Sequence, residues 1–288
     1  MKSLCDLHTH TKYSDGTLTP TELIDLACES ELYAIALTDH NAASGLPEFF
    51  AAAEGRDVEA IGGTELSCDY NGREIHIVGL FLTLEDAKRV EELMYQMKQN
   101  KIISNKNLIE ALARDGYDIS YDEVARSIEG YMNRAHIATH LVNKGYFSHR
   151  QEAFADLLKP YGKYYIPPKT ITAFEGIEFL NSLGAVSVLA HPYLSIPEDQ
   201  MDEFLSRAKA SGLDAMETIY TTYDEDTTQK AKEMAKKYGL LESGGSDFHG
   251  DNKPDTKLGV GYGNIGYKKE MYLALKERRE EKLRKTER

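Results

Sequence analysis

Leu4-Cys5-Asp6-Leu7-His8-Thr9-His10 is the stretch that decides the fold. Residues 4–7 form a short run of β type, and two histidines follow it at once. Alternate residues of an extended chain point the same way, so His8 and His10 share a face. Moving outward, the arrangement recurs. Residues 33–37 run into Asp39-His40, 58–62 into Glu65, 185–189 into His191-Pro192, and 240–243 into Gly244-Gly245-Ser246-Asp247-Phe248-His249. Further β-type runs fall at 74–81, which carries His76, and at 215–220. Between the first two strands, Thr19, Pro20 and Glu22 read as the N-cap, N1 and N3 of a helix whose apolar face is Leu23, Ile24, Leu26 and Ala27. Segments 197–211 and 227–238, closed by Gly212 and Gly239, read as helices too. Strand–helix alternation of this kind predicts an α/β fold, a largely parallel sheet or barrel.

One stretch breaks the alternation. From 85 to 168 the apolar spacing is helical, through Val90, Leu93, Met94 and Met97, then Leu108, Ile109 and Leu112, then Ile137, Leu141 and Val142, ending in Ile166-Pro167-Pro168. We read it as a helical insertion, a cap over the strand ends, in a discontinuous barrel domain made of 1–84 and 169–288. The charged segment 268–288 reads as a helix with a solvated face.

The chain has 288 residues, 41% hydrophobic and 28% charged, which suits a globular protein rather than a disordered or fibrous one. No apolar run is long enough for a membrane span and the start does not look like a signal peptide, so a cytoplasmic protein without membrane partners is expected. Its three cysteines include no CxxC pair, which argues against a disulfide framework and a thiolate zinc site. The net charge of −13 disfavours duplex DNA, whose binding rests on many Lys/Arg–phosphate contacts. It leaves room for an anionic substrate, because bound dications reverse the sign of a local site.

The histidines and acids carry the chemistry. Carboxyl ends of strands share one face in barrels and open α/β sheets, so residues distant in sequence converge there. The candidate metal ligands are His8, His10, Asp15, His40, Glu65, His76, His191, Asp247 and His249. His76, flanked by isoleucines, also fits a buried core histidine. Imidazole plus carboxylate without thiolate suits Mn²⁺, Fe²⁺ or Zn²⁺ in a hydrolytic site, and nine ligands fit two or three divalent ions. The three acids are outweighed by that many dications, leaving a pocket suited to an anion.

These motifs resemble those of the PHP (polymerase and histidinol phosphatase) domain phosphoesterases. The resemblance rests on Asp6-Leu7-His8-Thr9-His10, Thr38-Asp39-His40, the His191-Pro192 strand end and Gly245-Ser246-Asp247-Phe248-His249, and spans essentially the whole chain. It implies a distorted (β/α)7 TIM-like barrel with two or three metals. His8, His10, Glu65 and Asp247 would hold one ion, Asp15, His40 and His249 a second, and Glu65, His76 and His191 a third. Histidinol phosphatases typically carry His where this chain has Asp15. That departure points to a subgroup similar to nucleotide phosphatases acting on AMP or 3′,5′-bisphosphates, and to ribonucleases that trim 5′-phosphorylated RNA.

Asn133 reads as an N-cap with Arg134 and His136 in the first helical turn, where free N–H groups and the dipole favour an anion. The resemblance implies that this Arg-x-His faces the phosphate. Arg134, His136 and His191 are thus candidates for catalysis, the first two by binding substrate, and Asp39 for support of His40 or proton transfer. The expected partner is a small phosphorylated molecule, a nucleotide or short 5′-phosphorylated oligonucleotide. Histidinol phosphate, a C–N bond cleaved by a metal amidohydrolase, and a non-catalytic nucleotide-binding module remain open. Gly261-Tyr262-Gly263-Asn264-Ile265-Gly266 matches GxGxxG, but too few residues follow for a βαβ unit. There is no GxSxG elbow and no phosphate loop of the GxxxxGK[ST] type.

Overall fold

Asn71-Gly72, with φ of 54° and 80°, folds the chain into a hairpin in the computed structural model, which describes residues 2–127 and 132–286. The described residues form eight strands: β1 Leu4–Asp6, β2 Ala34–Leu37, β3 Glu59–Tyr70, β4 Arg73–Leu80, β5 Val186–Leu189, β6 Ala215–Tyr220, β7 Leu241–Gly245 and β8 Tyr267–Lys268. Their order in the sheet is β7-β6-β5-β4-β3-β2-β1-β8. Beyond β1, Leu7 N–H donates to the Gly244 carbonyl at 3.3 Å and Asp247 N–H to the His8 carbonyl at 2.9 Å. Thr9 then pairs in parallel with Phe248. Residues following β1 thus meet the end of β7, and the sheet curls into a nearly closed barrel.

The sheet is less parallel than the alternation predicts. β1–β2–β3 and β5–β6–β7 are parallel, but β4 runs antiparallel to both neighbours. The cause is the hairpin: an Asn-Gly pair accepts the left-handed conformations of a two-residue turn. It carries β3 on to Tyr70, so Glu65 lies inside a strand rather than at its end. Ser67 stands opposite His76 and Glu65 opposite Val78, so Glu65 and His76 share a face.

Thr19 caps helix Pro20–Glu29 with the expected reciprocal bonds to Glu22, and Leu23, Ile24 and Ala27 are buried. Helices Glu198–Ala210 and Glu225–Tyr238 occupy the other two expected positions. The terminal helix, Lys269–Thr286, is more than a solvated face. Tyr272 and Leu275 are fully buried, in one cluster with Cys5, Leu7, Val78, Val188 and Ala215. They lie three residues apart, and that spacing alone gives the charged helix an apolar seam. Lys282 Nζ donates to the Ala185 carbonyl at 2.6 Å and to Asp214 at 2.5 Å, and Arg279 donates to the Leu183 carbonyl at 3.1 Å.

The chain divides into two compact units, Met1–Glu92 with Ile171–Arg288, and Leu93–Thr170. The second unit holds most of helix Leu84–Arg114, with Tyr121–Arg126, Arg134–Asn143 and Arg150–Asp156. It has its own core, including Leu108, Leu112, Val124, Ile137, Leu141 and Leu158. Among the described residues no helix is long and apolar enough to cross a membrane.

Because Leu275 is sealed in the barrel core, Leu275→Ala is expected to lower stability by about 2–5 kcal/mol. Denaturant unfolding of the full chain measures this; a loss under about 0.5 kcal/mol, the range of ordinary surface changes, would mean the helix does not complete the core.

Candidate metal centre

The histidine-bearing strand ends are positioned by close backbone packing. A Cβ on Gly245 would lie 2.5 Å from the His8 backbone nitrogen, so only glycine lets β7 approach β1 there. A Cβ on Gly16 would lie 2.4 Å from the His10 carbonyl oxygen, and the turn that carries Asp15 needs that approach. Asp39 steadies the same turn. Its carboxylate accepts from Thr11 N–H and Thr11 Oγ1, both at 2.7 Å, and from Ser14 Oγ at 2.6 Å. Burial, the largest influence, raises its pKa against those bonds. With these donors in place, Asp39 supports the turn that leads to Asp15.

The structure brings all nine expected ligand residues together. Among the described residues, four groups have ligand atoms within 4.8 Å of one another: His10, Asp15, His40 and His249; His8, Glu65 and His191; His8, His10 and Asp247; His40, Glu65 and His76. Glu65 joins them. Its Oε2 lies 3.2 Å from His8 Nε2, 3.3 Å from His10 Nε2 and 2.9 Å from His40 Nδ1. Its Oε1 lies 2.8 Å from His76 Nδ1 and 3.1 Å from His191 Nε2. Asp247 Oδ1 lies 3.6 Å from His8 Nε2 and 3.1 Å from His10 Nε2. Asp15, 56% exposed, reaches His249 Nε2 at 3.1 Å and His40 Nε2 at 3.9 Å.

Two observations test this donor set against a metal. His8 Nε2, both ring nitrogens of His10, Glu65 Oε2 and His76 Nδ1 are buried without a hydrogen-bond partner, an arrangement that ordinarily costs stability. Four tetrahedral donors about 2.0–2.1 Å from a zinc ion stand roughly 3.3 Å apart. The spacings of His8 Nε2 and His10 Nε2 to Glu65 Oε2 and Asp247 Oδ1 run from 3.1 to 3.6 Å. The donors fit a dication in both respects.

The electrostatics agree. Burial is the largest influence on Glu65 and Asp247 and pushes both upward. The neighbouring imidazoles outweigh it, His8 foremost, and hold both carboxyls well below the usual range. Burial likewise pushes His8 down, but Glu65, Glu217 and Asp247 raise it well above an ordinary histidine. The acids thus favour positive charge at the centre. His10 is lowered by burial, to about 4, and stays a neutral donor at physiological pH. Burial pushes the Cys5 and Cys68 thiols up to about 12, so neither offers a thiolate there.

Arg134 and His136 lie in the second unit. The capping expectation is met, but it consumes part of the expected anion site. Asn133 Oδ1 accepts from the Ala135 and His136 N–H groups at 2.9 and 3.2 Å, and His136 Nδ1 accepts from Asn133 N–H at 3.2 Å. The Arg134 guanidinium donates to the Leu158 carbonyl at 3.0 Å and lies over the Tyr165 ring at 4.4 Å. The capped turn therefore offers fewer open backbone amides than the sequence suggests.

Glu74 Oε1 lies 3.0 Å from His76 Nε2, and three further residues absent from the sequence reading touch the cluster. Tyr220 Oη and Lys253 Nζ each donate to Asp247 Oδ2 at 2.7 Å, and Glu217 Oε1 accepts from His8 Nδ1 at 2.8 Å. Burial first, then Asp247, raises the Tyr220 pKa, which keeps the phenol a donor. Glu217 and Tyr220 are three apart and would face opposite ways on a regular strand. A bulge between Glu217 and Ile219, with Thr218 the extra residue against β7, lets both reach the centre. The sequence signal for Glu217 is a lone acid in an otherwise uncharged strand.

The PHP domain family matches residues 6–169. A 5'-3' exoribonuclease of Haemophilus influenzae is 32% identical over 248 residues, covering 85% of this chain and 89% of its own. A 3',5'-nucleoside bisphosphate phosphatase of Chromobacterium violaceum is 28% identical over 257 residues, covering 88% and 90%. A solved structure from Bifidobacterium adolescentis, described as a candidate metal-dependent phosphoesterase, superposes with a TM-score of 0.63 at 28% identity, over 95% of this chain and 96% of the other.

Glu65→Ala removes the carboxylate that faces five imidazoles, and Asp247→Ala removes the second acid facing His8 and His10. Each is expected to lose at least one tightly bound ion per chain, read by elemental analysis after dialysis. His76→Ala should lose less, because His76 touches only the Oε1 side. Full occupancy in either acid variant would count against the centre.

Proposed function

The chain belongs to the PHP domain family, and we propose that it is a metal-dependent phosphoesterase that hydrolyses a terminal phosphate ester of a nucleotide-like substrate. One observation carries this reading: the Glu65 carboxylate is divided between two sets of imidazole nitrogens, of which His8 Nε2, His10 Nε2 and His76 Nδ1 have no hydrogen-bond partner, the form of a multi-ion hydrolytic site without thiolates. We assign two or three Mn, Fe or Zn ions to it. His8, His10, Glu65 and Asp247 would hold one, Asp15, His40 and His249 another, and Glu65, His76 and His191 a third. When bound, such ions activate water and offset the charge that develops in in-line attack on phosphorus.

The protein's own groups set the geometry. Asp247 turns Oδ1 to His8 and His10 while Tyr220 and Lys253 hold Oδ2, so the carboxylate cannot swing. Asp39 fixes the turn from Thr11 to Ser14 and thereby the neighbouring Asp15. His191 Nε2 is directed at Glu65, which makes it a ligand before it is an acid. On the helical unit, Arg134 and His136 are assigned to the non-bridging phosphate oxygens. Stacking on Tyr165 and the bond to Leu158 hold the guanidinium, and Arg can present paired donors to phosphate.

The substrate class follows from the relatives and from the anion-suited centre. The relatives' names concern RNA ends and nucleoside bisphosphates, both of which present a phosphate on a nucleotide. AMP, a 3′,5′-nucleoside bisphosphate or a short 5′-phosphorylated oligonucleotide is therefore proposed ahead of histidinol phosphate. The test is competition among these four with added Mn²⁺, followed by phosphate release. A nucleotide should have the highest kcat/KM, and histidinol phosphate in that place would overturn the assignment. Arg134→Ala should lower nucleotide kcat/KM by about 10²-fold, equivalent to about 2.7 kcal/mol. Thermal unfolding run alongside separates this loss from damage to the helical core.

A further inference from the structure

We propose that Glu217 is a positioning residue that sets two imidazoles of the centre, His8 and His191, at the same time; the proposal rests on the metal-centre reading above. Glu217 lies on β6 and is 2% exposed. Its Oε1 faces His8 Nδ1 at 2.8 Å, and its Oε2 accepts from the His191 backbone N–H at 2.7 Å. Both oxygens are committed to protein donors, and Glu217 belongs to none of the four ligand groups. It stands behind the ligands rather than among them.

The contact with His8 determines which ring nitrogen can bind a metal. An ionised carboxylate can only accept, so Nδ1 must carry the proton. Nε2 is then the nitrogen that would give up its proton to an ion and offer its lone pair, and it is the atom that faces Glu65 Oε2 at 3.2 Å and Asp247 Oδ1 at 3.6 Å. A carboxylate behind a ligating histidine fixes the tautomer, holds the ring plane and raises the basicity of the donor nitrogen.

The contact with His191 acts through the backbone. His191 has φ 28° and ψ 53°, in the left-handed region that residues with a side chain rarely adopt. It also precedes Pro192, and a following proline pushes a residue toward extended conformations. The anchored N–H opposes both preferences. In this conformation His191 Nε2 reaches Glu65 Oε1 at 3.1 Å, whereas an extended residue would direct the imidazole elsewhere. The two rings lie 5.8 Å apart and nearly parallel, at 22°, each addressing a different oxygen of Glu65. One carboxylate in front and one behind thus hold the same pair.

Glu217→Gln separates this role from simple filling of space. The amide has the same shape but one acceptor oxygen; its NH₂ must face either His8 Nδ1–H or His191 N–H, donor against donor. Zn²⁺ or Mn²⁺ affinity, measured by competition with a fluorescent chelator, is expected to fall 10–100-fold while far-UV circular dichroism stays unchanged. A second measurement needs no variant. In ¹⁵N-histidine NMR of the zinc-loaded wild type, His8 should show a slowly exchanging proton on Nδ1 and none on Nε2. That signal decides the matter if the variant does not fold. Unchanged metal affinity in folded Glu217→Gln, or a His8 proton on Nε2, would overturn the role. A wild type that takes up no metal overturns the metal centre itself, and the role of Glu217 falls with it.

Discussion

A buried carboxylate facing several lone pairs is unstable unless a positive charge sits between them, and Glu65 is in that position. Its two oxygens meet imidazoles from residues after β1, after β2, on β4 and after β5. No single strand could satisfy such a residue. The barrel has to bring its strand ends within about 3 Å of one oxygen or the other, and glycine contacts, turns and the β6 bulge each serve that requirement. Without a cation, the imidazole nitrogens and Glu65 Oε2 would be orphaned polar atoms in a dry interior, so ion binding and local stability are linked.

The antiparallel strand β4 has a functional reason in this light. An all-parallel barrel presents ligands only at strand ends, in one layer. The hairpin at Asn71-Gly72 instead sets β4 beside β3, with His76 one diagonal step from Glu65 on the same face. Glu65 Oε1 gains a partner that no parallel strand end supplies, and His191 completes that side from the other neighbour of β4.

What the sequence revealed follows from how locally each feature is encoded. The histidines after β1, β2, β5 and β7 were legible because each directly follows an apolar run, and the Thr19 capping box because its partners lie three apart. The hairpin was written just as locally, as Asn-Gly between two β-type runs, yet it passes unnoticed beside the stronger strand–helix rhythm. Glu65 therefore reads as a strand end when it lies within β3. Glu217, Tyr220 and Lys253 could not be read in this way. Their meaning depends on a bulge and on strands meeting across the barrel, and neither has a local signature. The terminal helix shows the reverse difficulty: Tyr272 and Leu275 are its fully buried residues among those described, with Met271 packed beside them, and composition hides so few among so many charges.

Counting Glu217 also changes the electrostatic argument for an anionic substrate. Asp15, Glu65 and Asp247 give three negative charges at the ligands, and buried Glu217, in contact with His8, makes four, while Glu74 beside His76 is 69% exposed and screened by water. Two dications would only balance these, leaving Lys253 as the surplus cation against Asp247. A third dication would make the centre strongly positive, within a protein whose overall charge is −13. An exposed Asp15 is screened by water far more than buried Glu65 and Glu217, so the field inside the centre is set mainly by the buried acids and the ions. Attraction of a phosphate therefore depends on how many ions are bound. On the proposed assignment, the Glu65 Oε1 side, with His76 and His191, would be the part of the site that sets that number.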